Sequence, residues 1–440
     1  MKAIRTLFIL GLALTLIFAW TARAELLAGA AKADITPDVQ EHKIPSSGYG
    51  ARGRKPMQGV HDPVMAKALV LKSGDFSVAI VTLDLIGVSR ELRRAVLQRL
   101  EGTGIGDQNL LITASHTHSG PGAMEKNFIA GLVFGGFQKW LTEWTADQIA
   151  SAVKQAQAGL KPAKLKAASG QAPGLTKNRR DPAHSYNYDT RRFSPAYDPR
   201  NPENVTDDEI IVLRVDDASG RPLALLVSFA THGTVLGADN MLISADWPGA
   251  MQRELETAFP AAVVLYMNGA QGDQAPAMPD NPDDLACMEI IGKNVAQAAL
   301  PLAQNALPIP AEPIASVLVR REIDVPVRAM GVHIPKLLFK RWYPSMPLAG
   351  VRAGDVIFLA VPLEMISEIG LTMKAGAKGI GYPVPIIAGL ANGLFLYLTT
   401  PDVYDQGGYE AGNTVYGKIE AGLVIGEEMM LARKLRSGRQ

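Results

Sequence analysis

The chain has 440 residues, 47% hydrophobic and 20% charged, with a formal net charge of +1. That composition excludes a disordered or fibrous chain and leaves room for one large domain or two smaller ones. The near-zero charge, with no long basic run and no zinc-finger spacing, sets nucleic acid aside as a partner.

In chain order, Lys2 and Arg5 precede an almost wholly apolar run from Leu7 to Trp20, and Ala22-Arg23-Ala24 supplies small residues before Glu25. This is the layout of a secretory signal peptide over residues 1–24, and it predicts a secreted or periplasmic protein. The run is short for a membrane span, so an uncleaved anchor is the lesser alternative. Phe76 to Leu85 reads as a buried strand, and a helix from Arg90 to Leu100 follows. Leu110 to Thr113 is a second strand, running into Ser115-His116-Thr117-His118-Ser119-Gly120-Pro121. Trp140, Trp144, Ile149 and Val153 recur near helical spacing and predict an amphipathic helix over 138–157. Further strands are expected at Lys164–Ala168, Ile210–Val215, Leu223–Ala230, Val263–Met267, Val317–Val325 and Val356–Val361, with a last helix over Ile419–Leu435. Gln171 to Val205 is rich in Asn, Arg, Asp, Pro and Tyr, and a loop of that length inside a domain is usually functional. Cys287 is the only cysteine, which excludes an intramolecular disulfide and a multi-thiolate zinc site. It reads as a buried, inert thiol on a helix face. No internal repeat is visible, and no linker divides the chain. Residues 25–440 are therefore expected to form a single large α/β catalytic domain, a mixed β-sheet core with flanking helices.

The candidate chemistry lies at strand ends. His116 and His118, two apart, point the same way in an extended segment and can share a pocket. A metal centre and a polar strand end with two solvated histidines are both open readings. His232 ends another apolar strand, and Asp246 downstream is expected to orient an imidazole. Asn268-Gly269-Ala270-Gln271-Gly272-Asp273-Gln274-Ala275-Pro276 ends a third strand, where two glycines and Asp273 suggest close backbone approach to a ligand. Glu364 follows a fourth; it either completes a His, His, Glu zinc set that leaves room for water or caps the next helix. Phe128 to Phe137 is apolar and interrupted by glycines, and it reads either as core or as a lid for an acyl chain.

These pieces together resemble the neutral (non-lysosomal) ceramidase family. They are Gly29 to Pro37, Ser115 to Pro121, Asn268 to Pro276, Ile387 to Asn392, and Tyr397 to Pro401 with Tyr409-Glu410, in the family's order along almost the whole mature chain. The resemblance implies one catalytic zinc ion held by His116, His232, Glu364 and Tyr397. It implies that His118, Arg179, Asp273 and Tyr409 assist at the reacting amide. The reaction implied is hydrolysis of an N-acyl bond in ceramide or a similar amphipathic lipid, with peripheral membrane contact. A smaller N-acyl substrate, and a binding protein derived from the enzyme, are the alternatives. Two departures stand out. The family's Gly-Asp-Val-Ser-Pro is Gly272-Asp273-Gln274-Ala275-Pro276 here, and Ala275 cannot be a nucleophile. The resemblance also implies a further C-terminal β-rich domain in full-length members, whereas this sequence runs to a last helix expected over Ile419–Leu435.

Overall fold

Alternation of side chains sets the layers. In Met65–Ser73, Ala68 and Val70 face one side and Leu69 and Leu71 the other, and all four are buried. A strand apolar on both faces must be covered on both faces. The computed structural model describes residues 25–126, 131, 134–180, 186–187, 192–193, 205–324, 327–329, 332–342 and 345–438. The expected signal peptide over 1–24, and most of the expected loop over 171–205, lie outside the described residues.

The chain builds the same unit three times: three antiparallel strands, a crossover helix, a fourth strand parallel to the third, and a covering helix. The first unit is β1 (Leu27–Asp34), β2 (Met65–Ser73), β3 (Phe76–Leu83), α1 (Arg90–Arg99), β4 (Leu110–Ala114) and α2 (Lys139–Ala158). The second is β5 (Lys161–Gln171), β6 (Glu209–Asp217), β7 (Pro222–Phe229), α3 (Asp246–Ala258), β8 (Val263–Asn268) and α4 (Asp284–Gln304). After the short β9 (Leu307–Pro308), which pairs with β5, the third begins with β10 (Ile314–Arg321), β11 (Met346–Ala353) and β12 (Val356–Ala360). Helix α5 (Lys336–Trp342) lies between β10 and β11. Helix α6 (Ser367–Ile380), β13 (Val384–Ala388), the short α7 (Pro401–Gln406) and α8 (Tyr409–Gly412), and α9 (Glu420–Ser437) complete it.

The first two units join edge to edge through β1 and β5 into a nine-stranded mixed sheet, ordered β8-β7-β6-β5-β1-β2-β3-β4. The third unit's four-stranded sheet packs on one face of it, where Leu69, Leu213 and Met267 meet Leu318, Phe358 and Ile386. Helices α1 and α2 cover the other face of the first half, and α3 and α4 that of the second. Helices α6 and α9 cover the outside of the smaller sheet. The expected mixed-sheet α/β domain is thus found, with four layers around shared cores.

Helices expected over 90–100, 138–157 and 419–435 form within two residues of those limits, and Cys287 is buried in α4. The repeat is a correction to the sequence reading. Strand β1, Leu-Ala-Gly-Ala-Ala-Lys-Ala-Asp, is nearly all small residues and gives no large apolar alternation to read, although it is the seam of the nine-stranded sheet.

Close approach of α3 and α4 depends on Gly292. A Cβ there would lie 2.4 Å from the Ala250 Cβ and 2.8 Å from the Met251 amide nitrogen. Gly292→Ala should therefore destabilise the fold by about 1–3 kcal/mol, the usual cost of overpacking. The readout is the denaturant midpoint, and an unchanged midpoint would show that the helices separate freely.

Candidate metal centre

Each unit sends the chain segments after its third and fourth strands to one place. From the first come His116 and His118, just past β4. Strands β3 and β4 are parallel neighbours, so the turn after β3 lies beside them. There the His116 amide donates to the Leu85 carbonyl at 2.9 Å, and His116 Nδ1–H donates to the Ile86 carbonyl at 2.7 Å. His116 has φ 67, a left-handed conformation that costs energy in a non-glycine residue and marks a held position. From the second unit comes His232, past β7. Its Nδ1–H faces the carbonyls of Gln271 at 2.8 Å and Gln274 at 2.9 Å, in the turn after β8. From the third come Glu364, past β12, and Tyr397, past β13. Residues 364–365 and 397–398 pair as two short parallel strands, with Glu364 opposite Tyr397.

With Nδ1 spent as donor on a carbonyl, each imidazole leaves Nε2 as a lone pair aimed inward. His116 Nε2 lies 3.1 Å from Glu364 Oε2, and His232 Nε2 lies 3.3 Å from the same oxygen. The Tyr397 hydroxyl lies 3.3 Å from His232 Nε2. Two donors each about 2.0–2.1 Å from a tetrahedral zinc stand roughly 3.3 Å apart. These separations are compatible with donors that share one metal ion. Glu364 Oε2, buried among these acceptors, has no hydrogen-bond donor among the described residues. His118 is also close, with Nε2 3.2 Å from His116 Nε2, and the three histidines place ring nitrogens within 4.8 Å of one another.

The electrostatics keep His118 and His232 neutral and Glu364 ionised, the forms that can ligate. Burial, and then Arg179, lowers the His232 pKa to about 3. Burial, with His116 and His232 nearby, holds His118 well below the ordinary histidine value. Both rings are neutral at physiological pH. Burial alone would raise Glu364, but His116 and His232 overcome it and hold the carboxyl well below its usual range. Burial and then Glu364 push the Tyr397 phenol well up, with Arg179 opposing.

Arg179 is the charged neighbour of the centre. Its Nη2 donates to the Tyr397 hydroxyl at 2.9 Å and its Nε to Glu410 at 3.0 Å. Burial works against its charge, but Tyr397, Glu410 and Glu364 outweigh it and raise its pKa. The guanidinium lies over the rings of Tyr397 and Tyr409. Tyr409 is 56% exposed and packs edge-on against Tyr397, so it stands where the centre meets solvent.

Two expectations change. Asp273 does not face the centre. Its carboxylate accepts from the Ser367 amide at 2.8 Å, the Ser367 hydroxyl at 3.1 Å and Asn178 Nδ2 at 3.0 Å. Its carbonyl accepts from the Arg179 amide at 2.8 Å, so it is a positioning residue for Arg179. Asp246 does not reach an imidazole. It accepts the backbone amides of Val235, Leu236 and Trp247, and the Trp247 indole in turn donates to the His232 carbonyl at 2.8 Å. Of the expected lid over 128–137, residues 128–130 and 132–133 lie outside the described residues. Phe134 is half-buried and its carbonyl accepts from the Ala123 amide at 2.7 Å.

The sequence reading missed Gly48, Tyr49 and Arg52. The Tyr49 ring packs edge-on against His118, with centroids 4.8 Å apart. Arg52 is buried and donates to the carbonyls of His118, Gly237 and Ala238, which fixes the His118 loop. Gly48 has φ +97, and a Cβ there would lie 2.5 Å from His118 Cγ. The segment Ser47-Gly48-Tyr49-Gly50 carries turn residues and no ligand, so only its contact with His118 reveals it.

The chain matches the family described as neutral/alkaline non-lysosomal ceramidase, N-terminal, over residues 26–269. A neutral ceramidase of Mycobacterium tuberculosis is 25% identical over 94% of this chain and 78% of its own length. One from Pseudomonas aeruginosa is 30% identical over 50% of this chain and 32% of its own length. The crystal structure of the Pseudomonas aeruginosa neutral ceramidase superposes with a TM-score of 0.81 at 22% identity, covering 94% of this chain and 75% of that one. A structure of a ceramidase complexed with C2 matches equally well, at 21% identity.

On protein supplied with one equivalent of zinc, His116→Ala and His232→Ala should each retain less of it than the wild type, measured by metal analysis. A full equivalent retained in either would contradict the ligand set. Gly48→Ala displaces the His118 ring and separates its roles. Zinc content stays at one equivalent if His118 is outside the ligand set, and falls if it is a ligand.

Proposed function

This chain belongs to the neutral/alkaline non-lysosomal ceramidase family, and we propose that it is a zinc-dependent amidase that splits the N-acyl bond of ceramide or a related amphipathic N-acyl lipid. The carrying observation is the convergence of His116 Nε2, His232 Nε2, Glu364 Oε2 and the Tyr397 hydroxyl, neighbours 3.1–3.3 Å apart with both Nδ1 protons committed to carbonyls. The names of the relatives supply the substrate class. Segment 1–24 supplies the proposed secreted or periplasmic location.

A zinc ion bound there supplies a Lewis acid for the amide carbonyl and brings the pKa of water to about 7. The chain's own residues do the rest. Water adds to the carbonyl carbon, the C–N bond breaks, and the amine nitrogen takes a proton. His118, neutral and with Nε2 3.2 Å from His116 Nε2, can take the proton that the attacking water gives up and pass it to the leaving amine. Tyr409, whose phenol is kept protonated by burial and then by Glu364, offers its hydroxyl to the developing oxyanion. Arg179 keeps the Tyr397 hydroxyl oriented and adds fixed positive charge.

Ala275 sits in the short strand 274–276, directly after the carbonyl of Gln274 that holds His232. With a methyl group there, this site offers no acyl-enzyme route at that position. The same residue favours a second reading, a binding protein that keeps the centre without turnover.

The two readings separate in one experiment. Purified, zinc-loaded protein is given ceramide and short N-acyl amines in single-turnover conditions, and acyl adducts are trapped and sought by mass. The proposal expects release of fatty acid with no covalent adduct. Release with an acyl adduct would contradict direct attack by water, and zinc without any turnover would establish the binding protein. Tyr409→Phe should lower turnover by on the order of 10²-fold, the usual size for one oxyanion donor. It should leave the zinc content unchanged.

A further inference from the structure

Away from the histidines, a cavity of about 250 Å³ opens between α1 and the loop that follows β13. Four arginines line it: Arg90, Arg93 and Arg94 from α1, and Arg320 from β10. Arg93 is satisfied in part by the Asp107 and Leu110 carbonyls, at 3.1 and 3.3 Å, but carboxylates are fewer than guanidinium groups. Arg93 and Arg320 share one carboxylate, Asp107, with Arg320 Nη2 reaching its two oxygens at 2.8 and 2.7 Å. Among the described residues, Arg90 pairs with its neighbour Glu91 alone, at 3.4 Å. Arg94 is exposed and makes no ion pair among the described residues. Counting Glu125, which also lines the cavity, three carboxylates face four guanidinium groups.

Asn392 supplies an independent sign of a ligand. It lines the cavity and is 3% exposed. Its Oδ1 accepts from the Ile112 amide at 3.1 Å and from Arg93 Nε at 3.3 Å. Two donors on that atom fix which end of the amide is oxygen, so the other end is an NH₂ group. That nitrogen has no acceptor among the described residues. A buried donor left unpaired is costly unless something arrives to accept from it. Leu97, Leu394 and Phe395 form an apolar wall. Excess cations, an unpaired amide donor and an apolar wall together suit an organic anion with a short tail.

The cavity's place in the fold fits one source of that anion. Leu394 and Glu125 also line a narrow crevice that reaches Ile86 and Gly87, and the Ile86 carbonyl is the one that holds His116. A Cβ at Gly87 would lie 2.8 Å from Leu394 Cδ1, so the glycine makes the seat for Leu394. Arginine cavity and metal centre are thus back to back across one loop.

We propose that this cavity binds the carboxylate of a short- or medium-chain fatty acid, with the head at the arginines and the Asn392 amide and the tail along Leu97, Leu394 and Phe395. Only the origin of the acid rests on the amidase reading; the binding does not. It is a second site, separate from the zinc ligands, that holds a product-like anion.

Calorimetric titration with octanoate tests it, on the wild type, on Arg90→Ala/Arg94→Ala, on Arg94→Glu and on His116→Ala. Both arginine variants alter exposed side chains, and melting temperature confirms that they fold. The expected result is one octanoate per chain in the wild type and in His116→Ala. Binding weakens at least about tenfold in the arginine variants, the cost of about 1.4 kcal/mol in lost contacts, and inorganic phosphate binds far more weakly than octanoate. Three results would overturn it: no octanoate bound by the wild type; octanoate lost in His116→Ala but kept in the arginine variants, which puts it at the metal centre; or phosphate bound as tightly as octanoate, which removes the role of the apolar wall. Octanoate binding without any amide turnover would sink the amidase reading alone.

Discussion

Everything at the centre depends on buried acceptor atoms crowded together, with the Tyr397 hydroxyl 3.3 Å from one of them. His116 Nε2 and His232 Nε2 lie 3.1 and 3.3 Å from Glu364 Oε2, and with both Nδ1 protons committed to carbonyls neither imidazole offers that oxygen a proton. Burying such a set without a cation is unfavourable, because each lone pair loses water and gains repulsion. The fold tolerates it only because the rest of the structure holds the four groups in place. A divalent cation turns the same crowding into binding energy. Arg179 and Glu410 extend this balance outward, the guanidinium offsetting the carboxylates while holding the Tyr397 hydroxyl.

The three-fold repeat explains how one place receives groups from such distant parts of the chain. In each unit, the third and fourth strands are parallel neighbours, and their carboxyl ends lie side by side. Ligands and the carbonyls that orient them come from those paired ends. Ile86 follows β3 and holds His116 after β4; Gln271 follows β8 and holds His232 after β7; Glu364 after β12 pairs with Tyr397 after β13. The packing of the two sheets over Leu69, Met267 and Phe358 then sets how closely the third unit's carboxylate approaches the histidines of the other two.

The sequence made the large apolar strands and the long helices readable, since Phe76–Leu83 and Lys139–Ala158 carry strong periodic signals. Histidines at strand ends pointed to the centre, and motif order supplied Glu364, Tyr397, Arg179 and Tyr409. The repeat was hidden because the three units share topology and not residues: β1 is alanine-rich while β7 is leucine-rich. Gly48 and Arg52 act through backbone approach to His118, which leaves no pattern along the chain. Asp246 and Asp273 were legible as buried carboxylates near the site, but both serve backbone amides, a partner that spacing alone does not distinguish from an imidazole.

X-ray absorption at the zinc edge, on protein loaded with one equivalent of zinc, reads the ligand set itself. Ligation by His116, His232, Glu364 and Tyr397 gives a four-coordinate shell of nitrogen and oxygen at about 2.0–2.1 Å, with outer-shell scattering from two imidazoles. A shell without imidazole scattering, or with three imidazoles and no carboxylate or phenolate oxygen, would contradict it.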